Sequence, residues 1–232
     1  MKILALGIHP DDVEVGCGAT VVLAAGAGHD VTVVDLSPGG SSSNGTLDDR
    51  EREAAEAARI MGAGRRYNLG LPDTRIHSEN DGQAGAIVTC LRKERPDLVL
   101  VPSFDDPHPD HSSGGRLIER AIYLSAIHGY GRGETAWRIP HVLVYPGRTD
   151  FDPDIVFDVS STYDVKVRSI LAHATQFTPG AGRAATPLNS PDFLGVVEAR
   201  ARTHGRRIGV RFGEGFRSPR PIALSDFHLF GK

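Results

Sequence analysis

Two short segments of this sequence carry side chains that can bind a metal ion and move protons. They are His9-Pro10-Asp11-Asp12 and His108-Pro109-Asp110-His111. Each follows an apolar run, residues 2–7 for the first and 98–101 for the second, that is typical of a buried parallel strand. An aspartate after such a run can also simply stabilise the N-terminus of a helix, without any role in binding. Two His-Pro-Asp segments after two strands, however, indicate two halves of one metal site.

The residue types in these segments predict a zinc site with hydrolytic chemistry. Two imidazoles and one carboxylate around an open coordination position are the usual ligands of a catalytic zinc ion. We therefore predict one Zn²⁺ per chain, bound by His9, Asp12 and His111. Adjacent residues of a turn point in different directions, so Asp11 can stay off the metal and act as the base that takes a proton from water.

The second segment contains one more imidazole, which we predict to be catalytic. His108 lies three residues before His111, and we expect the carboxylate of Asp110 to hold its ring and favour the imidazolium. A protonated His108 would then stabilise a developing oxyanion and donate a proton to a leaving amine.

Alternating strands and helices predict the α/β fold that must position these residues. We expect one Rossmann-like domain over residues 1–232, a doubly wound, mostly parallel sheet with helices on both faces. In the common strand order 3-2-1-4-5, the first and fourth strands are neighbours, and ligands bind in the crevice at their carboxyl ends. The predicted strands are residues 2–7, 31–36, 67–69, 98–101, 141–145 and 155–159.

Composition excludes several other classes of protein. A net charge of −3 over 232 residues gives no broad attraction for nucleic acid or for an anionic membrane. Cys17 and Cys90 lie in apolar surroundings and are expected to be reduced core residues. The first apolar run is too short for a signal peptide and no stretch resembles a membrane span, so we expect a cytoplasmic protein.

The paired motifs resemble those of the zinc-dependent PIG-L/LmbE-like family of N-acetylglucosamine deacetylases. The resemblance extends over most of the chain, and five further segments are similar to the branch that removes acetate from N-acetylglucosaminyl malate in bacillithiol biosynthesis. These segments are residues 68–73, 176–178, 186–188, 197–200 and 213–216. The resemblance implies that the substrate is a small N-acetylated amino sugar and that Arg50 contacts it.

The same resemblance implies a homo-oligomer, with a hexamer favoured. We expect the loop, helix and tail of residues 178–232 to complete the site or an interface between subunits, because their apolar groups have no obvious place in the main sheet.

The sequence also departs from the family pattern. Some members carry a mobile tyrosine that assists the oxyanion at the place of Phe193, and phenylalanine has no hydroxyl to donate. An arginine often precedes the second motif, where this chain has Pro107.

Two alternatives stay open from the sequence. One is a broader deacetylase of chitobiose-type N-acetylglucosaminides. The other is a Rossmann-like module that binds a sugar or a nucleotide without turnover. Asp11 favours an enzyme over this module, because a protein that only binds metal needs no free carboxylate beside its ligands.

Overall fold

The computed structural model describes residues 1–131 and 133–223. Its strands are β1 (Lys2–Gly7), β2 (Asp30–Asp35), β3 (Arg65–Asn68), β4 (Leu98–Pro102), β5 (His141–Tyr145), β6 (Ile155–Asp158) and β7 (Gly213–Phe216). Its helices are α1 (Asp12–Gly26), α2 (Leu47–Met61), α3 (Asp81–Glu94), α4 (Pro109–Ser125), α5 (Tyr163–Ala172), α6 (Ala174–Phe177) and α7 (Phe193–Arg207).

Five strands form a parallel sheet in the order β3-β2-β1-β4-β5, as the sequence predicts. β1 lies at the centre, where Ala5 pairs with Val33 on one side and with Leu100 on the other. The order reverses between β1 and β4, so the loops after these two strands open into a common crevice. Both His-Pro-Asp segments lie at this crevice: the first runs from the loop into Asp12, the first residue of α1, and the second runs from His108 into the first turn of α4.

Helices cover both faces of the sheet and enclose two hydrophobic cores, which confirms the predicted fold class. On one face, apolar side chains of α3 and α4, such as Ile87, Leu91 and Leu117, pack against the strands. On the other face, Val13, Cys17 and Val21 of α1 do so. Cys17 and Cys90 are both buried and unpaired, as expected.

A second, two-stranded sheet was not predicted. The strand expected at 155–159 forms as β6, but it pairs antiparallel with β7, which the sequence analysis left in the tail. Tertiary contacts hold β7 in place. The buried carboxylate of Glu214 accepts hydrogen bonds from the backbone of Ala19 and Thr20 and forms an ion pair with Lys166.

A buried polar network ties the start of α1 to the sheet. Arg66 on β3 makes two hydrogen bonds to Asp35, of 2.8 and 2.9 Å, and also contacts Glu14 on α1. His173 Nε2 lies 3.1 Å from Glu14 Oε1. Since Glu14 follows Asp12 by two residues, this network helps to fix the helix turn that carries a predicted ligand.

Across the described ranges, none of the helices combines the length and apolar character needed to cross a bilayer. The end of the predicted C-terminal tail, residues 224–232, lies outside the described residues.

Candidate metal centre and active site

The structure brings His9, Asp12 and His111 together in the crevice between β1 and β4. One ligand atom from each residue lies within 4.8 Å of the others. His9 Nδ1 is 3.3 Å from His111 Nε2, and His111 Nε2 is 3.4 Å from Asp12 Oδ1. About one hundred residues of sequence separate the two segments, and the strand order brings them together because β1 lies beside β4.

These spacings fit a zinc ion. Two atoms bound to one tetrahedral Zn²⁺ at about 2.0–2.1 Å lie roughly 3.3–3.4 Å apart. The donor set of two ring nitrogens and one carboxylate oxygen is also one of those that catalytic zinc sites use. The residues present therefore suit the predicted metal in both chemistry and spacing.

The neighbouring carboxylates of Asp11 and Asp12 point in different directions. Oδ2 of Asp12 accepts hydrogen bonds from the backbone N–H groups of Ile8 and His9, at 2.9 and 2.8 Å, which leaves Oδ1 facing His111. Asp11 has a φ of +122°, a conformation that residues with a Cβ rarely adopt. This backbone conformation separates the two side chains, as the predicted division between ligand and base requires.

Two carboxylates that the sequence analysis did not assign to His9 fix the orientation of its ring. His9 Nε2 lies 3.0 Å from Asp73 Oδ1 and 3.4 Å from Asp110 Oδ2. Metal-bound histidines commonly donate their other N–H to such a carboxylate. The sequence analysis missed Asp73, which lies in the loop after β3. Its place beyond the carboxyl end of a parallel strand was the signal that could have identified it.

His9, Asp73 and Asp110 could themselves be read as a second group of metal ligands. Backbone hydrogen bonds, however, fix both carboxylates in an orientation toward His9. Asp73 Oδ2 accepts from Ser41 N at 2.6 Å, and Asp110 Oδ2 accepts from Thr74 N at 2.7 Å. We therefore interpret these two carboxylates as supports for His9.

Asp106 orients the ring of His111 in the same way. The sequence analysis did not identify this residue either. Its Oδ2 lies 3.3 Å from His111 Nδ1, and its side chain is buried. The backbone N–H groups of His108 and Arg148 donate to the same carboxylate, at 2.9 and 2.7 Å. His111 is thereby oriented with Nε2 toward His9 and Asp12.

The electrostatics of the crevice favour a positive charge between these groups. Burial lowers the pKa of His9, but hydrogen bonds to Asp110 and Asp73 outweigh burial and raise it to about 10. Burial also lowers the pKa of His111, and the charge of Asp12 and the bond to Asp106 reverse that effect. The carboxylates that favour protonated imidazoles here would equally stabilise a bound divalent cation.

The predicted pairing of Asp110 with the His108 ring is wrong. The Asp110 carboxylate faces His9 and the backbone N–H groups of Thr74 and Ile76. His108 is instead the N-cap of α4, and its Nδ1 accepts a hydrogen bond from the Asp110 backbone at 3.2 Å. Near the start of a helix, the Asp110 side chain points back toward the preceding turns and not toward its sequence neighbour.

The protonation expected for His108 changes with this geometry. Burial and the nearby rings of His111 and His9 lower the pKa of His108, and the charge of Asp110 opposes part of this shift. Because Nδ1 accepts a hydrogen bond, the single proton of the neutral ring resides on Nε2. The lowered pKa disfavours the imidazolium that we predicted, and a neutral His108 ring would donate through Nε2.

Arg50 also differs from the prediction, since its guanidinium is buried behind the first motif. Its Nη2 donates to the Pro10 carbonyl at 2.7 Å and lies 3.5 Å from Asp11 Oδ2. Burial raises the pKa of Asp11, and the Arg50 charge offsets part of that rise. These contacts make Arg50 a positioning residue for the turn and for Asp11.

The long loop before α7 packs onto the body of the protein. Leu188 and Phe193 contact a buried cluster of Ile170, Phe177 and Val197. Asn44, in the loop after β2, exchanges two hydrogen bonds with the backbone of Ala184. These apolar groups thus have a place within the subunit, which weakens the sequence argument for an oligomer interface there.

Comparison with known proteins agrees with the chemistry of this site. The model of the family described as PIG-L, GlcNAc-PI de-N-acetylase, matches residues 4–122, which include both motifs. The diacetylchitobiose deacetylase of Thermococcus kodakarensis is 29% identical over 231 residues, covering 93% of this chain and 82% of that protein. The uncharacterized deacetylase YaiS of Escherichia coli is 32% identical over 181 residues, covering 74% and 89%.

Among solved structures, the conserved protein TT1542 from Thermus thermophilus superposes with a TM-score of 0.88. It is 32% identical, and the match covers 97% of each chain. The similarity therefore includes the C-terminal part of the chain, beyond the region that the family model matches.

Proposed function

Because the chain belongs to the PIG-L family and is therefore a deacetylase, we propose that it removes acetate from an N-acetylglucosaminide. The convergence of His9, Asp12 and His111 beside the carboxylate of Asp11, which is not one of the three candidate ligands, is the observation that carries this proposal. A module that only binds a sugar or a nucleotide would need no such base next to a metal site.

Zinc is the proposed cofactor, one ion per chain, with His9, Asp12 and His111 as its ligands. When bound, it supplies Lewis acidity toward the amide carbonyl and toward water. Asp73, Asp110 and Asp106 keep the two imidazoles in the orientation that binding requires, through the contacts described above.

Asp11 is the proposed general base. Its buried carboxylate takes the proton of the attacking water at one of its oxygens. Burial raises its pKa, which makes a carboxylate a stronger base, and the Arg50 charge offsets part of that rise. The strained backbone at Asp11 aims this carboxylate away from the ligand position of Asp12.

His108 is the proposed donor to the substrate. The N–H at its Nε2 can hydrogen-bond to the developing oxyanion, while the proton that Asp11 takes from water can pass to the glucosamine nitrogen as the amide C–N bond breaks. Phe193 carries no hydroxyl for that task, and its ring packs against Phe177 with centroids 5.2 Å apart.

We propose N-acetylglucosaminyl malate as the first substrate to examine, on the strength of the sequence segments similar to the bacillithiol branch. A broader deacetylase of chitobiose-type substrates is the second candidate, favoured by the similarity to the diacetylchitobiose deacetylase over 93% of the chain. A homo-oligomer, with a hexamer favoured, and a cytoplasmic location stay predictions.

A panel assay tests the proposal. The zinc-loaded protein is given N-acetylglucosaminyl malate, N,N′-diacetylchitobiose and the methyl glycoside of N-acetylglucosamine, and released acetate is measured. We expect acetate from at least one of these and the largest kcat/KM on the malate glycoside. Absence of acetate from all three would reject the deacetylase proposal, and a higher kcat/KM on diacetylchitobiose would favour the second candidate.

A further inference from the structure

Helix α1 is broken shortly after the predicted zinc ligand Asp12. Cys17 has a φ of −144° and a ψ of 21°, which lie outside the helical region. In an unbroken helix the Val15 carbonyl would accept a hydrogen bond from the N–H of Ala19. That N–H donates instead to Glu214 Oε1, at 3.1 Å. The break therefore leaves the Val15 carbonyl in need of another donor.

Arg200 of α7 supplies that donor. Its Nη2 donates to the Val15 carbonyl at 3.1 Å. The N–H of Val15 in turn donates to the Asp11 carbonyl at 3.0 Å. The guanidinium is thus bonded to the end of the short helical turn that begins with Asp11 and Asp12, the first half of the proposed zinc site.

The same guanidinium contacts a turn that supports the second half of the site. Its Nη1 donates to the Gly147 carbonyl at 2.6 Å. The backbone N–H of the next residue, Arg148, donates to Asp106 Oδ2 at 2.7 Å, and that oxygen lies 3.3 Å from His111 Nδ1. A Cβ at Gly147 would collide with the Asp106 carboxylate, so this close approach of the turn requires glycine.

Arg200 is a partly buried cation whose hydrogen bonds go to main-chain carbonyls. Among residues 1–131 and 133–223, no carboxylate lies within ion-pair distance of its guanidinium. Burial lowers the pKa of Arg200, as expected for a charge withdrawn from water. Such a placement costs free energy, which indicates that the bridge between the two carbonyls is the role of this side chain.

We propose that Arg200 is a positioning residue for the zinc site, because its guanidinium joins the turn that carries Asp12 to the turn that supports His111. This inference rests on the proposed zinc-dependent function and adds a residue outside the range 4–122 that the family model matches. The two ligands must keep His111 Nε2 and Asp12 Oδ1 close together, at 3.4 Å in this structure. A planar guanidinium with two donors in a fixed geometry can hold that spacing before a metal binds.

The zinc affinity of the metal-free protein, measured by competition with a chromogenic chelator, tests this role. Arg200→Met keeps the length of the side chain but removes both donors. It should weaken zinc binding by roughly 10- to 100-fold, the usual effect of losing a group that supports metal ligands. Arg200→Lys should recover part of this loss, because it keeps the charge but lacks the planar fork. If Arg200→Met does not fold, Arg200→Lys must still bind zinc more weakly than the wild type.

Arg206→Met is the matched control. Arg206 is an exposed arginine of the same helix. Its carbonyl accepts a hydrogen bond of 3.3 Å from the N–H of Gly209, and the substitution leaves this bond in place. We expect this variant to bind zinc as tightly as the wild type.

A double-mutant cycle with Asp106→Ala separates a positioning role from a general structural one. If Arg200 acts in part through Asp106, the two substitutions are coupled. The fold-loss of zinc affinity in the double variant should then be smaller than the product of the losses in the two single variants. Independent effects would simply multiply.

The remaining outcomes separate this role from the proposed function. Wild-type zinc affinity in Arg200→Met, an equal loss in Arg206→Met, or a double-variant loss equal to the product would overturn the role of Arg200. Each of these results leaves the deacetylase proposal in place, because zinc binding is measured without substrate. If the wild type bound no zinc, the proposed zinc site and the role of Arg200 would both be rejected.

Discussion

His9 Nε2 lies 3.0 Å from Oδ1 of Asp73, a residue 64 positions away in the sequence. This contact leaves Nδ1 of the same ring facing His111 Nε2 at 3.3 Å. Asp73 is in turn fixed by the backbone N–H of Ser41, so the loop after β2 supports the proposed zinc site through a single carboxylate.

The first prediction concerns this carboxylate. Asp73→Ala should weaken zinc binding by roughly 10- to 100-fold, the usual effect of losing the partner of a metal-bound histidine. Zinc affinity is measured by competition with a chromogenic chelator. Glu79→Ala, an exposed acidic residue of the same connection between β3 and α3, should bind zinc like the wild type. Equal affinity in Asp73→Ala would show that His9 does not depend on this contact.

Asp11→Asn should retain zinc and lose turnover. The amide keeps the size of the side chain but cannot accept the proton of water, so we expect kcat to fall by about 10²–10⁴-fold. Zinc content by elemental analysis and acetate release are measured on the same preparation. Turnover close to that of the wild type would require a base other than Asp11.

His108 and Asp110 should behave differently when replaced, because their side chains do not face one another. His108→Ala should keep zinc and lose about 10²–10⁴-fold in kcat. Asp110→Ala should instead lower zinc affinity, because its carboxylate faces His9. If Asp110→Ala bound zinc normally and lost the same kcat as His108→Ala, the orienting role expected from sequence would be restored.

The strand order and the convergence of the two motifs could be predicted from the sequence. Apolar runs and their alternation with helices define a parallel sheet, and its topology then dictates that the loops after β1 and β4 meet. Local sequence also sets the start of α2, where Thr46 and Asp49 form both hydrogen bonds of a capping box.

Side-chain direction could not be predicted in the same way. The spacing of His108 and Asp110 suggested a pair, but the start of α4 turns the two side chains apart. Arg50 was expected to face the substrate, and its burial depends on the close packing of Gly39 and Pro10 around it. Strand β7 was missed because Gly213-Glu214-Gly215-Phe216 has little intrinsic strand preference, and long-range contacts of Glu214 hold it in place.

The buried pair of Glu14 and Arg66 predicts a pH dependence of stability. Burial alone would raise the pKa of Glu14, but the charges of Arg66 and His173 outweigh it and hold that pKa well below its usual range. A carboxyl group with a depressed pKa stabilises the folded protein at pH values above the pKa that it has in the unfolded chain, about 4.3. This stabilisation is lost as the pH falls toward the pKa of the folded state.

Glu14→Gln should therefore destabilise the protein by about 3–5 kcal/mol at pH 7, since it leaves the buried Arg66 guanidinium with one partner fewer. The difference from the wild type should shrink as the pH is lowered below about 4. Urea unfolding between pH 7 and pH 3 measures both effects. Glu56→Gln, at the surface of α2, is the control and should follow the wild type. A difference that stays constant with pH would contradict the ionised state of Glu14.

Titration of the metal-free protein with zinc tests the central claim most directly. Acetate release from N-acetylglucosaminyl malate and diacetylchitobiose is followed as zinc is added, for the wild type and for His111→Ala. We predict that wild-type activity rises linearly and reaches its plateau at one zinc per chain, and that His111→Ala loses both tight binding and activity. Full activity before zinc is added, or equal zinc binding and acetate release in His111→Ala, would contradict a catalytic zinc held by His9, Asp12 and His111.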